Sequence, residues 1–331
     1  MSSALTGNEH TPAERLVATV GNFDGVHRGH VHLIERVRRE GRARGLSSAV
    51  VTFRNHPASV LHPDRPVQLL WPMMGREKTE ALRATGIDRV IWLDFTPAMA
   101  AMSSTQFIEW LHREHGVDVL VMGYNHRLGH DRSGLADGIA PTVGVEIVHA
   151  DEYAGPEAPV SSSLIRDLIA RGDVKEAARK WGRAVTLSGT VVDGRKNGRK
   201  LGFPTANIRH ADDQVWPPVG AYAALVTIDE RPVEPPLLGM VGVTRRPTLT
   251  GGTSGTTGAE VHIFDFDGDL YRHRVSLELV EQLRPERRFA DLAALRQQLS
   301  ADREQALAVL RRHLVHRSSP EKTENNHFSP Q

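Results

Sequence analysis

Short apolar runs alternate with stretches of helical periodicity from Leu16 to about Trp181. Leu16 to Val20 reads as a buried strand, and Ala49 to Phe53, Arg89 to Leu93, Val117 to Met122 and Val145 to His149 are short, apolar and strand-like. After the first of them, Leu33, Ile34 and Val37 recur at the spacing of one helix face, and Phe107, Ile108 and Leu111 do the same within Thr105 to Glu114. Glu77 to Thr85 is a further helical stretch. This alternation predicts a parallel sheet flanked by helices, in which ligands gather at the carboxyl ends of the strands.

The pattern changes after about Arg183. Val185 to Val192, Ala221 to Ile228, Leu237 to Val243, Glu260 to Phe266 and Arg274 to Val280 read as strands separated by few helices. Turn residues punctuate them at Gly194 to Gly198, Pro217-Pro218, Pro235-Pro236 and Gly251 to Gly258, and Thr250 to Gly258 is expected to be a mobile loop. A small antiparallel barrel closed by helices over Leu292 to Leu310 is therefore predicted, giving the fold class α/β plus β. The boundary falls between Trp181 and Val185, with domains at 15–182 and 183–315. Residues 1–14 and 316–331 are polar and are expected to be disordered tails.

Candidate chemistry starts where the first strand meets the first helix, at Gly21-Asn22-Phe23-Asp24-Gly25-Val26-His27-Arg28-Gly29-His30. A helix start attracts anions, because its first amides lack partners inside the helix and its dipole is positive there. Glycines let a phosphate approach the backbone, and His27 and His30 can donate to its oxygens. Ser162 and Ser163 precede a helical stretch, which they can cap while offering hydroxyls, with Arg166 one turn inside as a cation. A second loop, Gly198-Arg199-Lys200-Leu201-Gly202-Phe203-Pro204-Thr205-Ala206-Asn207, follows a strand and supplies flexible backbone, cations and magnesium-friendly oxygens. Each element also has a structural reading: Asp24-Gly25 as a turn, Ser162 as a cap, Phe203 as a packed barrel residue.

The histidine loop resembles the nucleotidyltransferase signature of the bacterial bifunctional riboflavin kinase/FAD synthetases. Thr52-Phe53-Arg54-Asn55-His56-Pro57, Gly123-Tyr124-Asn125-His126-Arg127-Leu128-Gly129, Ser161-Ser162-Ser163-Leu164-Ile165-Arg166 and the Gly198 loop resemble further motifs of that family, in its order. The resemblance implies a Rossmann-like nucleotidyltransferase domain followed by a riboflavin kinase-like barrel. It implies catalytic roles for His27, His30, Arg166 and Glu260. Nucleotide or flavin contacts are implied for Gly21, Phe23, Asp24, Gly25, Asn55, His56, Asn125, Ser162 and Ser163. In the kinase half they are implied for Gly202, Phe203, Pro204, Thr205, Asn207 and Arg284. Thr205 and Asn207 would hold magnesium and the ATP phosphates, and Glu260 would accept the proton of the riboflavin 5′-hydroxyl. Strand alternation puts Glu260, His262 and Phe264 on one face.

Departures from the family pattern cluster in the kinase half. Gly242, Thr244 and Leu249 stand where the family has asparagine, glycine and phenylalanine, around a preserved Pro247-Thr248, and Arg272 replaces a glycine after Asp269-Leu270-Tyr271. Thr244 in particular adds a β-branched side chain where backbone geometry or a close ligand called for glycine.

Composition alters this picture little. A chain of 331 residues, 40% hydrophobic and 24% charged, suffices for two cores. A net charge of +1 argues against general affinity for nucleic acid or an anionic membrane, and Arg36, Arg38, Arg39, Arg42 and Arg44 read as a solvated helix face. With no cysteine, disulfides and thiolate metal sites are excluded, which suits a cytoplasmic protein. The polar amino terminus lacks a signal core, and no run approaches the roughly 20 apolar residues of a membrane helix, so a soluble chain is expected. No histidine pair has zinc-ligand spacing on a helix with a third ligand, so the expected metal is magnesium carried with ATP, with no bound redox cofactor. The expected activity is phosphorylation of riboflavin to FMN and adenylylation of FMN to FAD, with ATP, riboflavin and FMN as partners and self-association left open. Two alternatives stand beside it: an adenylyltransferase whose kinase half is impaired or altered in specificity, and a regulator that binds flavin or nucleotide without turnover.

Overall fold

The computed structural model describes residues 15–124, 128–129, 144–193, 202–209, 213–229, 234–246 and 256–318. It divides into two compact units: residues through Val67 with Met73–Gly155, and Gln68–Pro72 with the chain from Pro156 onward.

In the first unit, strands β1 (Leu16–Val20), β2 (Ser47–Phe53), β3 (Arg89–Leu93), β4 (Val117–Met122) and β5 (Glu146–His149) form one sheet in the order β3-β2-β1-β4-β5. Every neighbouring pair is parallel. Helices α1 (Arg28–Arg44), α2 (Pro57–Leu61), α3 (Arg76–Ala84), α4 (Pro97–Ala100) and α5 (Ser104–His115) connect them. β1 is buried at every position because helices cover both faces of a parallel sheet, which is why its sequence is a continuous apolar run. α1 buries Leu33, Ile34 and Val37, as its spacing predicts. On its polar side Arg36 and Arg44 pair with Glu40, and Arg44 also reaches Glu146 at 2.6 Å. α5 opens on a capping box of Ser103 and Gln106 and stops at Gly116, in the left-handed region. The strand order reverses between β1 and β4, so the loops leaving those two strands flank the switch point where ligands bind in such sheets.

In the second unit, α6 (Ser162–Arg171) and α7 (Val174–Trp181) precede β6 (Val185–Val192), β7 (Ala206–Arg209), β8 (Gly220–Ile228), β9 (Leu237–Arg246), β10 (Thr256–Ile263), β11 (Arg274–Pro285) and α8 (Leu292–Ser318). The strands close into an antiparallel barrel in the order β10-β7-β6-β11-β8-β9. The barrel has one strand more than the apolar pattern predicts: β7 is only four residues long, and pairing with β6 and β10 on its two sides makes it a strand. Its approach to β6 depends on Gly189, where a Cβ would lie 2.1 Å from the Arg209 carbonyl oxygen. β10 begins and ends earlier than expected. Thr256 to Gly258, assigned above to a mobile loop, are paired with β9, whereas Phe264 has left the strand. Phe264 joins Phe203, Ala223, Leu225, Met240, Ala306, Val309 and Leu310 in the core beneath α8, which is one helix running through residues 316–318 of the expected tail.

Gln68–Pro72 belongs to this second unit although it lies between β2 and β3 in sequence. Leu69 N–H donates to the Asp213 carbonyl at 2.7 Å, and its own carbonyl accepts from Val215 N–H at 2.7 Å. The Gln214 amide donates to the carbonyls of Leu70 and Thr186. Trp71 packs 5.1 Å from the Trp181 ring, and the Arg183 guanidinium sits 4.9 Å from the Trp71 centroid, with burial pushing that guanidinium down to about 10. Trp71→Ala is therefore expected to destabilise the second unit by about 3–5 kcal/mol, the cost of deleting a buried aromatic, read as a lowered denaturant midpoint by circular dichroism.

Candidate active sites

The loop from β1 to α1 is bent through an unusual backbone. Phe23 (φ 46°), Gly25 (φ 76°) and Val26 (φ 41°) are left-handed, a conformation that glycine tolerates and that costs a β-branched valine most. Packing holds them there: Phe23 and Val26 are fully buried, and Asp24–Val26 forms a turn of 3-10 helix. The bend places His27 at the N-cap of α1, where its Nδ1 accepts from His30 N–H at 3.3 Å. A neutral His27 so held carries its proton on Nε2. The His27 and His30 rings stack at 3.7 Å, and the Phe23 ring lies 5.1 Å from His30. Gly21, which donates its N–H to Val51, completes the group at the carboxyl end of β1. Amides, imidazoles and glycines are thus gathered in one short loop at the switch of the sheet, groups of the kind that suit phosphate oxygens.

The next strand adds Asn55 and His56. The Asn55 side chain exchanges two hydrogen bonds of 2.9 Å with the Phe95 backbone, tying the loop after β2 to the loop after β3. His56 caps α2 by accepting from Ala58 N–H, and its Nε2 lies 3.1 Å from the Asn22 side-chain amide. Asn125 lies outside the described residues, as do Gly198 to Leu201 of the second motif and Leu249.

One residue here escaped the sequence reading. Lys78 on α3 is 1% exposed, and its ammonium donates to the Thr52 hydroxyl at 3.1 Å, touches Met73 Sδ at 3.8 Å and lies 5.1 Å from the Trp92 ring centroid. Burial pushes it down to about 8, against the opposing influence of the Asp24 carboxylate. The signal was present: Lys78, Ala81 and Leu82 follow the i, i+3, i+4 spacing of the helix's buried face.

Ser162, Ser163 and Arg166 belong to the second unit, at the start of α6. The cap is Ser161, which accepts from Leu164 N–H at 3.2 Å, rather than Ser162 or Ser163 as the sequence suggested. Those two are the first helical residues, and the Arg166 guanidinium donates to Ser163 Oγ at 3.1 Å.

In the barrel, pairing brings the second set together. Asn207 on β7 lies directly opposite Glu260 on β10, and directly opposed antiparallel residues point to the same side of the sheet. Thr205 Oγ1 lies 3.5 Å from Glu260 Oε2. His262, two residues along, is buried and hydrogen-bonded through Nδ1 to the Pro204 carbonyl at 2.8 Å, with Phe203 and Phe264 packed edge-on to its ring. Burial lowers its pKa, so a neutral ring donating from Nδ1 pins the loop ahead of Thr205. Gly202 takes a φ of 81° and Phe203 is packed into the core under α8. Beside them opens a cavity of about 460 Å³ lined by Val192, Thr205, Asn207, Asp269 and Tyr271 among others. Arg284 makes a two-pronged ion pair with the buried Asp302 of α8, at 2.8–3.1 Å. Its guanidinium also lies 5.5 Å from the Phe289 ring centroid.

The departures in this half have distinct structural settings. Thr244 sits in regular β9 opposite Gly258, so the strand backbone suits a β-branched residue. At Gly242, opposite Glu260, an added Cβ would meet only the Glu260 carbonyl, at 3.8 Å. Arg272 is different: its φ of 67° is left-handed, as the family glycine would allow. Arg272→Gly is expected to stabilise the barrel by up to about 1 kcal/mol by relieving that conformation, observable as a higher melting temperature.

Residues 9–164 match the family model for FAD synthetase and residues 181–310 that for riboflavin kinase. The chain is 36% identical to the bifunctional riboflavin kinase/FMN adenylyltransferase of Pseudomonas fluorescens, over 86% of this chain and 90% of that one. It is 34% identical to the protein of the same description from Escherichia coli K12, over 88% and 91%. A crystal structure described as a macrolide-efflux protein from Streptococcus pneumoniae shares 28% identity, covers 89% of this chain and 94% of that one, and superposes with a TM-score of 0.77. Among the described residues no helix is long and apolar enough to cross a membrane. With two family models in order along it and close relatives aligned over nearly their full length, the chain belongs to the bifunctional riboflavin kinase/FMN adenylyltransferase family.

Proposed function

We propose that this protein makes both flavin nucleotides from riboflavin, with adenylylation carried by residues 15–182 and riboflavin phosphorylation by residues 183–315. The observation that carries this is the pairing, in one chain, of a stacked histidine pair at a helix start and a Thr205–Asn207–Glu260 group at a barrel edge. Each is the chemistry one of the two reactions requires.

In adenylylation an FMN phosphate oxygen attacks the α-phosphorus of ATP and pyrophosphate leaves, so several negative oxygens crowd one place. Positioning and charge stabilisation do most of the work, and no covalent protein intermediate is needed. His27 Nε2, His30 and the first amides of α1 donate to the triphosphate, and Gly25 keeps the backbone close to it. Phosphate contacts are likewise assigned to Ser162, Ser163 and Arg166 on their own chemistry, two hydroxyls and a guanidinium within one turn of a helix start. Asn55, His56 and Asn125 are assigned to the nucleotide and flavin.

In phosphorylation the riboflavin 5′-hydroxyl attacks the γ-phosphorus of ATP, its proton passes to Glu260, and ADP leaves. Thr205 and Asn207, through the hydroxyl and the side-chain amide oxygen, would hold magnesium, which favours a few protein oxygens beside substrate phosphates; when bound, the ion would offset charge on the ATP oxygens, and Glu260 beside them stays available as the base. Gly202, Phe203 and Pro204 shape the loop beside the cavity, and Arg284 is assigned to the flavin end.

Incubation with riboflavin, ATP and magnesium is expected to yield FMN and then FAD by chromatography; FAD from FMN but none from riboflavin would leave only the transferase. His30→Ala should cut FAD formation by about 100-fold while FMN formation continues, and an unchanged rate would remove His30 from the site. Glu260→Gln, which keeps shape and drops the base, should cut riboflavin phosphorylation by roughly 100- to 10,000-fold, and undiminished FMN production would remove Glu260 from that role.

A further inference from the structure

A lysine that is 1% exposed at the foot of a sheet is costly: an ammonium taken from water loses hydration that a single hydroxyl and a thioether do not replace. An apolar side chain of the same length would fill the space at no such cost. What surrounds Lys78 indicates what the charge does there. Thr52, fully buried at the end of β2, accepts from Lys78 and donates its own hydroxyl proton to the Asn22 carbonyl at 3.4 Å. Asn22 is in the histidine loop, and its side-chain amide meets His56. Asp24, 3% exposed on the 3-10 turn of the same loop, is the charged group whose field acts on Lys78; the other elements packed on the ammonium present Thr52, Met73 and Trp92, which carry no charge. The buried ammonium is thus joined to the loop by a hydrogen-bond chain and by charge.

We propose that Lys78 is a positioning residue for adenylyl transfer: its buried ammonium balances Asp24 and, through Thr52 and Asn22, locks the left-handed β1–α1 loop in the shape that aims His27, His30 and the α1 amides. The proposal rests on the assignment of that loop as the transferase site. Lys78 touches no substrate in this role, so removing its charge lowers kcat more than it raises KM. The same charge opposes folding. Its depressed pKa means the unfolded chain holds the proton more tightly between about pH 8 and the ordinary lysine value, so the cost is fully present below pH 8 and fades as pH rises through that window.

The test compares the wild-type full chain with Lys78→Met. At pH 7 the variant is expected to lose roughly tenfold or more in kcat for FAD formation from FMN, with riboflavin phosphorylation retained, and to melt no lower than wild type. Wild-type adenylylation should fall as pH rises through about 8, and the variant should lack that limb. A wild-type kcat in Lys78→Met, or a limb shared by both proteins, overturns the proposal. Should the variant fold poorly, Thr52→Val, which removes the hydroxyl joining Lys78 to Asn22, decides: a wild-type kcat for FAD formation overturns the proposal, and a fall of roughly tenfold with riboflavin phosphorylation retained upholds it. His30→Ala, run alongside, separates the two levels. If it retains full adenylylation the loop is not the site, whereas a crippled His30→Ala with an unaffected Lys78→Met removes only the role of Lys78.

Discussion

Unpaired amides at a helix start draw anions, and here the chain must turn sharply out of β1 to begin that helix. Three left-handed residues within Phe23–Val26 would not persist in a free peptide, since each non-glycine among them is strained. They persist because Phe23 and Val26 are sunk in the core. The helix then starts with an imidazole as its cap, so the group that satisfies the chain is also one of those proposed to meet the triphosphate.

The barrel solves a related problem by pairing rather than by turning. Thr205, Asn207 and Glu260 come from a loop, a four-residue strand and an eight-residue strand, and only antiparallel registration brings their oxygens to one side. His262 extends that registration to the loop by holding Pro204, while the Arg284–Asp302 pair ties the end of β11 to α8. The donors that would meet substrate are mostly neutral or polar, and the buried cation Lys78 lies behind those of the first unit.

The parts of this architecture that were legible in the sequence are those fixed by neighbours along the chain. β1, β3, β4 and β6 match their predicted bounds residue for residue: β1 and β4 are buried throughout and β6 alternates, while β3 keeps its bounds with only Leu93 buried. The histidine loop was legible because strand, glycines, imidazoles and helix follow one another directly. β7 was not, since Ala206–Arg209 has too few apolar positions to alternate and becomes a strand only through β6 and β10. The docking of Gln68–Pro72 onto the second unit was invisible for the same reason: its partners Asp213, Val215 and Trp181 lie far along the chain. The cap of α6 was misassigned by one residue within a run of three serines, any of which can accept from an amide two or three positions on.

The departures from the family pattern can be ranked on the same physical terms. Thr244 and Gly242 lie in a ladder that keeps its pairing, so neither disturbs the alignment of β10 that presents Glu260. Gly242 leaves open space beside Glu260 where the family carries an amide side chain. Its consequence therefore falls on what occupies that space, not on the phosphate chemistry across the strand. Arg272 acts on the backbone, but its amide still donates to the Val191 carbonyl at 3.1 Å, so the turn closes at a cost in strain rather than in position. Gly242, Thr244 and Arg272 therefore spare the registration of Asn207 and Glu260, the pair proposed to serve phosphorylation.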